Sequence, residues 1–190
     1  MKKENIRKQT LATRETWTRS KFWTLMDDFL TQFQKFDWEK TNCLHIFLPI
    51  AKNKEVDTFE ILSFFRQNFP ALSVVVSKTN FKNKTITPIY FDYENTVLVK
   101  NKYEIPEPLY GKECPIENID TVLIPLLGFD LEGNRVGYGA GFYDRFLHKF
   151  KPDVLKIGLS LIPPIESIED VSEFDVKMDY CITPDQTFEF

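Results

Sequence analysis

The sequence lacks the features that mark membrane, secreted or metal-cluster proteins. No apolar run approaches the roughly 20 residues that a membrane-spanning helix needs, and the opening stretch MKKENIRKQT has no apolar core of the kind found in signal peptides. The three cysteines, Cys43, Cys114 and Cys181, lie far apart and form no metal-ligand spacing. An odd number of cysteines without a signal peptide indicates free thiols in a reducing compartment. We therefore expect a cytoplasmic protein without a membrane partner.

The chain also lacks the basic excess that bulk nucleic-acid binding requires. It carries 24 Lys and Arg against 28 Asp and Glu, a formal net charge of −4, so we expect no nucleic-acid partner. Its length of 190 residues suffices for one domain with a sizeable core, and its hydrophobic content of 43% is that of a globular protein. We therefore interpret residues 1–190 as a single domain, and we expect a monomer.

Glycine is scarce and unevenly placed. The chain has seven glycines, and four of them fall within nine residues: Gly133, Gly137, Gly139 and Gly141. An apolar run at 122–127 precedes them, as in a buried strand, and residues 142–147 carry apolar side chains at helical spacing. The pattern predicts a strand, a glycine-rich loop and a helix.

Two interpretations of this loop remain open on the glycines alone. Glycine allows positive φ and close approach to a ligand, the amides at the start of a helix favour an anion, and the planar fork of Arg135 suits phosphate. A tight surface turn would use glycine equally well. Neither G-x-x-x-x-G-K-[ST] nor G-x-G-x-x-G fits, because Asp144 stands where the latter needs glycine. The neighbouring Tyr138, Tyr143 and Asp144 favour a site for nucleotide phosphates.

Apolar periodicity predicts alternating helices and strands along the whole chain. The predicted helices are 3–17, 20–36, 58–69 and 142–147. Ser20 is the predicted N-cap of the second helix, and Asp57 or Thr58 that of the third. The predicted strands are 42–48, 71–77, 85–91, 122–127, 155–160 and 179–183. This alternation predicts an α/β three-layer sandwich, with a mostly parallel central sheet and helices on both faces. Because ligands bind beyond the carboxyl ends of such strands, the 48–58 turn and the 128–141 loop are expected to share one crevice.

Residues 133–144, GNRVGYGAGFYD, resemble the signature of the 5-formyltetrahydrofolate cyclo-ligase family, as does the preceding run PLLGFD at 125–130. The resemblance extends from Lys3 to Thr183. It implies ATP- and Mg²⁺-dependent conversion of 5-formyltetrahydrofolate to 5,10-methenyltetrahydrofolate, an activity of one-carbon metabolism. One position departs from the pattern: Ala140 stands where relatives often carry Gly or Lys. If relatives use such a lysine to contact phosphate, this chain must use another cation.

The resemblance also implies a set of site residues. Lys3 and Arg7 match a basic N-terminal helix that reaches ATP phosphates, although the segment alone favours a solvated, frayed terminus. The full ATP set is Lys3, Arg7, Arg135, Val136, Gly137, Tyr138, Gly139, Ala140, Gly141, Phe142 and Tyr143, with Arg135 and Tyr143 as catalytic residues. The folate set is Leu48, Glu55, Tyr138, Gly139, Ala140, Gly141 and Phe142. Within it the Glu55 carboxylate suits the paired N–H donors of a pterin; without the resemblance it would be interpreted as a solvated charge.

Two carboxylates are predicted to hold Mg²⁺. Asp144 follows the last glycine of the loop, and Asp179 resembles a late K-x-D motif of the family. Mg²⁺ usually takes one or two carboxylates together with substrate phosphates. Two other functions remain open: a sugar-phosphate or CoA-type binding protein, and a non-catalytic interaction domain.

Overall fold

The computed structural model describes residues 1–190. Its helices are α1 (Lys3–Thr16), α2 (Arg19–Phe33), α3 (Thr58–Asn68) and α4 (Phe142–Leu147). Its strands are β1 (Cys43–Ile46), β2 (Ser73–Asn80), β3 (Thr85–Tyr90), β4 (Leu98–Lys100), β5 (Pro106–Pro108), β6 (Thr121–Pro125), β7 (Gly128–Phe129), β8 (Arg135–Val136), β9 (Leu155–Leu159), β10 (Tyr180–Ile182) and β11 (Thr187–Glu189). None of the helices combines the length and the apolar character that crossing a bilayer demands.

A seven-stranded sheet forms the centre of the fold, in the order β11-β10-β9-β6-β1-β2-β3. The five inner strands run parallel, and the edge strands β3 and β11 pair antiparallel to their neighbours. Two short hairpins, β4–β5 and β7–β8, lie outside this sheet. The predicted α/β class with a mostly parallel sheet is confirmed.

The two faces of the sheet carry separate apolar cores. On one face, α2 and α3 cover alternate strand residues such as Leu44 and Ile46. On the other face, the neighbouring positions such as Cys43 pack beneath α4 and the β7–β8 hairpin. Helices therefore cover both faces, as predicted, but the second face relies on the hairpin because α4 has only six residues. The cysteines Cys43, Cys114 and Cys181 are buried free thiols, in agreement with the sequence.

Side-chain caps determine where two of the helices begin. The hydroxyl of Thr18 accepts a hydrogen bond from the Lys21 amide at 3.1 Å, so Thr18 and not Ser20 is the N-cap of α2. The carboxylate of Asp57 accepts from the Phe59 amide at 3.1 Å and caps α3, one of the two predicted possibilities. The caps satisfy amides that the first helical turn leaves without partners.

Helix α1 is docked against the β7–β8 hairpin. Ile6 packs with Val136 in a small buried cluster, and the hydroxyl of Thr10 donates to the Leu127 carbonyl at 2.6 Å. Arg14 is 2% exposed and donates to the Leu126 carbonyl at 3.1 Å. The basic N-terminal segment is therefore a packed helix and not a frayed terminus.

Candidate functional site

A crevice lies beyond the carboxyl ends of β1 and β6, where Leu48 and Pro125 form part of its wall. Its volume of about 350 Å³ is that of a small-molecule site. The predicted residues that line it are Lys3, Arg7, Leu48, Glu55, Arg135, Gly137, Tyr138, Gly139, Ala140, Gly141, Phe142, Tyr143 and Asp144. Val136 is buried beneath the loop with no exposed surface, and Asp179 is absent from the lining.

The glycine-rich loop forms one wall of the crevice. Gly139 has φ +94° and Gly141 has φ +67°, a region where a side chain is strained. No atom lies within 4 Å of the place where a Cβ on Gly137 would sit, so the loop backbone is open to a ligand there. The following helix α4 has only six residues, the same 142–147 that the sequence predicts, so its dipole is small. The positive charge of this wall comes mainly from side chains.

Two of these cations come from α1, where Lys3 and Arg7 are four residues apart and point to the same side. The Nε of Arg7 donates to the Gly137 carbonyl at 2.8 Å, which ties the helix to the glycine loop. The ammonium of Lys3 forms an ion pair with the carboxylate of Asp175, and both side chains are largely buried, at 14% and 20% exposure. The loop that contains Asp175 thus lies directly beside α1.

Arg135 supplies a third cation from the short strand β8. The residue is 6% exposed, its Nη1 donates to the Val176 carbonyl, and its Nη2 lies 2.5 Å from the Asp144 carboxylate. The amide of Val176 in turn donates to Asp144 at 3.3 Å. These contacts fix the guanidinium at the crevice and bring the 175–176 segment against the start of α4.

Glu55 lies at the other wall and is buried, at 6% exposure. One carboxylate oxygen accepts from the Ile50 amide at 2.6 Å, and the other accepts from the Tyr138 hydroxyl at 2.6 Å. Burial raises the pKa of Glu55, while these two hydrogen bonds and nearby Arg14 act in the opposite direction. Burial and the adjacent Glu55 carboxylate raise the pKa of Tyr138 as well. Glu55 is therefore a buried side chain fixed by hydrogen bonds and not a solvated charge.

Tyr143 presents a polar atom without a partner. Its ring lines the crevice, and its hydroxyl is buried and makes no hydrogen bond. Burial raises the pKa of this hydroxyl, while the nearby Ser77 side chain acts in the opposite direction; the phenol is a neutral donor at physiological pH, as tyrosine ordinarily is. A buried donor without a partner is costly, and a ligand oxygen in the crevice could satisfy it.

The structure corrects the predicted pairing of Asp144 with Asp179. The Asp179 carboxylate accepts from the Lys156 amide at 2.7 Å and pairs with the Lys156 ammonium at 2.9 Å. It directly precedes β10, beside the start of β9, whereas the crevice lies beyond the opposite ends of the strands. Besides Glu55, the carboxylates that line the crevice are Asp144 and Asp175. No cluster of three or more His, Cys, Asp and Glu side chains with metal-binding geometry occurs in the structure.

Sequence reasoning missed three charged residues around the crevice. Asp175 lies in the same DVKMD run as Asp179, and the sequence offers no means of choosing between the two. Arg14 shares one helical face with Lys3 and Arg7, a spacing that was available as a signal. The Nη2 of Arg145 donates to the Ala140 carbonyl at 2.5 Å, which places a cation beside Ala140.

A mostly parallel α/β sheet with a cation-lined, glycine-walled crevice at its carboxyl edge defines the class of the protein: an α/β domain with a crevice of small-molecule size beyond the carboxyl ends of its strands. The sequence profile of the 5-formyltetrahydrofolate cyclo-ligase family matches residues 1–184. The chain therefore belongs to the 5-formyltetrahydrofolate cyclo-ligase family.

Relatives in both sequence and structure agree with this membership. A 5-formyltetrahydrofolate cyclo-ligase of Escherichia coli K12 is 30% identical over 96 residues, 49% of this chain and 53% of the relative. A mitochondrial one of Arabidopsis thaliana is 30% identical over 154 residues, 68% of this chain and 54% of the relative. The matched segments thus span about half the length of these curated relatives.

Two solved structures share the fold over nearly the whole chain. The NMR structure of Aquifex aeolicus 5,10-methenyltetrahydrofolate synthetase superposes with a TM-score of 0.80 at 23% identity and covers 100% of this chain and 93% of its own. The Mycoplasma pneumoniae 5,10-methenyltetrahydrofolate synthetase gives 0.75 at 24% identity, with 97% and 99% coverage. At these identities the likeness establishes the fold.

Proposed function

We propose that this protein is an ATP-dependent ligase that converts 5-formyltetrahydrofolate to 5,10-methenyltetrahydrofolate, with release of ADP and phosphate. Family membership supports the reaction class. The observation that carries the proposal is the crevice itself, in which Lys3, Arg7 and Arg135 meet the buried carboxylate of Glu55 across one cavity. We further propose that residues 1–190 act as one monomeric domain.

The reaction requires little covalent chemistry from the protein. The formyl oxygen of 5-formyltetrahydrofolate attacks the γ-phosphorus of ATP, the bond to the β–γ bridging oxygen breaks, and ADP leaves. The resulting iminium phosphate is attacked at its formyl carbon by N10, which loses its proton. Cleavage of the carbon–oxygen bond then releases phosphate and leaves the methenyl bridge. Phosphoryl transfer of this kind depends on positioning and on neutralisation of charge.

The nucleotide is assigned to the glycine-loop side of the crevice. Lys3, Arg7 and Arg135 are the cations that contact its phosphates, and the loop residues from Gly137 to Tyr143 surround them, with Val136 supporting the loop from below. Arg135 is proposed as the catalytic cation because Asp144 and Val176 already fix its guanidinium. The unpartnered Tyr143 hydroxyl is proposed to donate to the transferred phosphoryl group or to the formyl oxygen beside it.

The folate is assigned to the opposite wall. Glu55 accepts the paired N–H donors of the pterin, Leu48 and Phe142 contact its rings, and the loop backbone from Tyr138 to Gly141 lies between the two ligands. An aromatic, partly apolar ligand suits this wall because apolar side chains such as Leu48, Ile86 and Ile105 line it.

The residues present fit Mg²⁺ bound with the nucleotide. Asp144 and Asp175 supply carboxylate oxygens on the lining of the crevice, and Mg²⁺ prefers one or two such ligands together with phosphate oxygens and water. Bound there, the ion would neutralise phosphate charge. Asp144 and Asp175 also orient Arg135 and Lys3 through their ion pairs.

The test is the formation of the methenyl product on mixing 5-formyltetrahydrofolate with Mg²⁺ and ATP, followed by its absorbance. We expect product and ADP in equal amounts, and no ATP turnover without the folate. A phosphate- or CoA-binding protein would bind a nucleotide without this product, and an interaction domain would do neither.

A further inference from the structure

Tyr138 joins the two walls of the crevice through its side chain. Its hydroxyl donates to a Glu55 carboxylate oxygen at 2.6 Å and accepts from the side-chain amide of Asn53 at 3.1 Å. Glu55 and Asn53 belong to the turn after β1, whereas Tyr138 belongs to the glycine loop, 83 residues away from Glu55. A single phenol hydroxyl therefore links the wall assigned to folate with the wall assigned to the nucleotide.

Arg7 bonds to the backbone on one side of Tyr138 and lies beside it on the other. The Nε of Arg7 donates to the Gly137 carbonyl at 2.8 Å. Gly139 has φ +94°, and a Cβ built on it would lie 3.3 Å from the Arg7 guanidinium carbon. The position of the loop and the position of this guanidinium are thus interdependent. Arg7 is one of the cations assigned to the phosphates. Tyr138 therefore lies beside a residue assigned to the nucleotide, and its hydroxyl bonds to Glu55, the residue assigned to the folate.

We propose that Tyr138 couples the two binding events, so that either ligand binds more tightly when the other is present. This inference rests on the proposed function. A pterin that binds Glu55 holds the carboxylate to which Tyr138 donates, and a phosphate that binds Arg7 holds the guanidinium that donates to the Gly137 carbonyl and lies beside Gly139. Each ligand therefore orders the loop, and the second ligand meets a loop already ordered. Thermodynamic linkage makes the effect equal in both directions.

Tyr138 does not block the carboxylate. Each oxygen of an ionised Glu55 has two acceptor sites, and each accepts one hydrogen bond from the protein. Two N–H donors of a pterin can therefore bind while the Tyr138 and Ile50 contacts persist. A blocking role has the opposite consequence, because removal of the hydroxyl would then strengthen folate binding.

The chain offers a matched control for the loss of this hydroxyl. Tyr180 donates to the Glu189 carboxylate at 3.0 Å, the same chemical pair, at the β10–β11 edge of the sheet and away from the crevice. Tyr180→Phe and Tyr138→Phe both remove one phenol–carboxylate hydrogen bond.

The dissociation constant of 5-formyltetrahydrofolate is measured by calorimetry with and without a non-hydrolysable ATP analogue and Mg²⁺. We expect the analogue to tighten folate binding by about fivefold or more in the wild type and in Tyr180→Phe, and to leave it nearly unchanged in Tyr138→Phe. Wild-type coupling in Tyr138→Phe, or tighter folate binding by that variant alone, would overturn the proposal.

A second measurement needs no ligand. Amide hydrogen exchange at residues 137–141 is expected to be faster in Tyr138→Phe than in the wild type and in Tyr180→Phe; equal exchange in all three contradicts the link between the walls. The two failures are distinguishable. A wild type that forms no methenyl product contradicts the proposed function, whereas one that forms it but keeps its coupling in Tyr138→Phe contradicts only the role of Tyr138.

Discussion

Arg135 and Asp144 form an ion pair at the crevice, with 2.5 Å between Nη2 and Oδ1 and side-chain exposures of 4% and 30%. The pair brings together, before any ligand arrives, the cation that we propose for phosphate and a carboxylate that we propose for Mg²⁺. Because Arg135 is buried, removal of one partner leaves the other charge without compensation. The first prediction therefore needs a stability control as well as a rate.

Arg135→Ala is expected to lower turnover by about 10³-fold or more, since an arginine that stabilises the transferred phosphoryl group can contribute this much. Arg135→Lys keeps the charge but loses the planar fork, so its turnover should lie between that of the wild type and that of Arg135→Ala. Turnover is followed by methenyl absorbance, and folding by thermal unfolding. A folded Arg135→Ala protein with turnover near that of the wild type would show that this arginine is not catalytic.

Lys3→Ala and Arg7→Ala are each expected to weaken binding of an ATP analogue by roughly tenfold or more, the size of one lost charged contact. Folate binding alone is expected to stay the same in Lys3→Ala, because the Lys3 ammonium pairs with Asp175 and not with the glycine loop. The matched control is Lys8→Ala, because Lys8 is exposed and pairs only with Glu4 of the same helix. Calorimetry with each ligand separately checks this. Equal losses for both ligands would indicate general destabilisation of α1.

Asp144→Asn and Asp175→Asn are expected to lower activity in a way that excess Mg²⁺ partly restores, because each removes one carboxylate from the crevice. Asp179→Asn is the control, since that carboxylate pairs with Lys156 outside the lining. The measurement is turnover as a function of Mg²⁺ concentration. If Asp179→Asn shifts the Mg²⁺ dependence and Asp175→Asn does not, the assignment is reversed.

Glu55→Gln is expected to raise the KM for folate and to spare affinity for the ATP analogue measured alone. The amide keeps one acceptor for Tyr138 but places an N–H group where the pterin and the Ile50 amide require oxygen. Glu60→Gln is a control on the exposed face of α3. An unchanged folate KM in Glu55→Gln would place the pterin elsewhere.

His45 is predicted to make the fold sensitive to acid. It has no exposed surface, and burial lowers its pKa from 6.5 to about 3. Its contribution to stability is therefore complete above pH 6.5 and falls as the pH decreases towards 3, because the unfolded chain binds the proton first. His45→Gln should flatten the decline in the free energy of unfolding between pH 6.5 and 4.5 by about 1 kcal/mol per pH unit. Urea denaturation across this range checks it, and parallel curves would refute it.

Local patterns in the sequence were sufficient to predict much of the fold. The apolar spacing of Met26, Phe29 and Phe33 predicts α2, and short apolar runs such as 122–127 predict the buried inner strands. The glycine spacing identified one wall of the crevice. The hairpin β4–β5 was not predicted, because its three-residue strands are too short to show a period.

Contacts between distant segments could not be predicted in the same way. Asp175 and Asp179 have the same side chain and lie four residues apart, and only the point at which the chain enters β10 decides which one faces the crevice. The hydrogen bond between Tyr138 and Glu55 joins residues 83 positions apart, and neither residue carries a local signal of the other. The family resemblance identified both Tyr138 and Glu55 as site residues, but it did not indicate that their side chains form a hydrogen bond.

The docking of α1 has a consequence for the way the protein acquires its site during synthesis. Thr10 and Arg7 bond to carbonyls 117 and 130 residues further along the chain, so the helix that is translated early must wait for most of the chain before it can pack. A 14-residue helix is marginal by itself in water, and such non-local contacts form slowly. A ribosome-bound chain that has not yet exposed the glycine loop therefore has no crevice, and the ability to bind ligand arises only with the late closure of the fold.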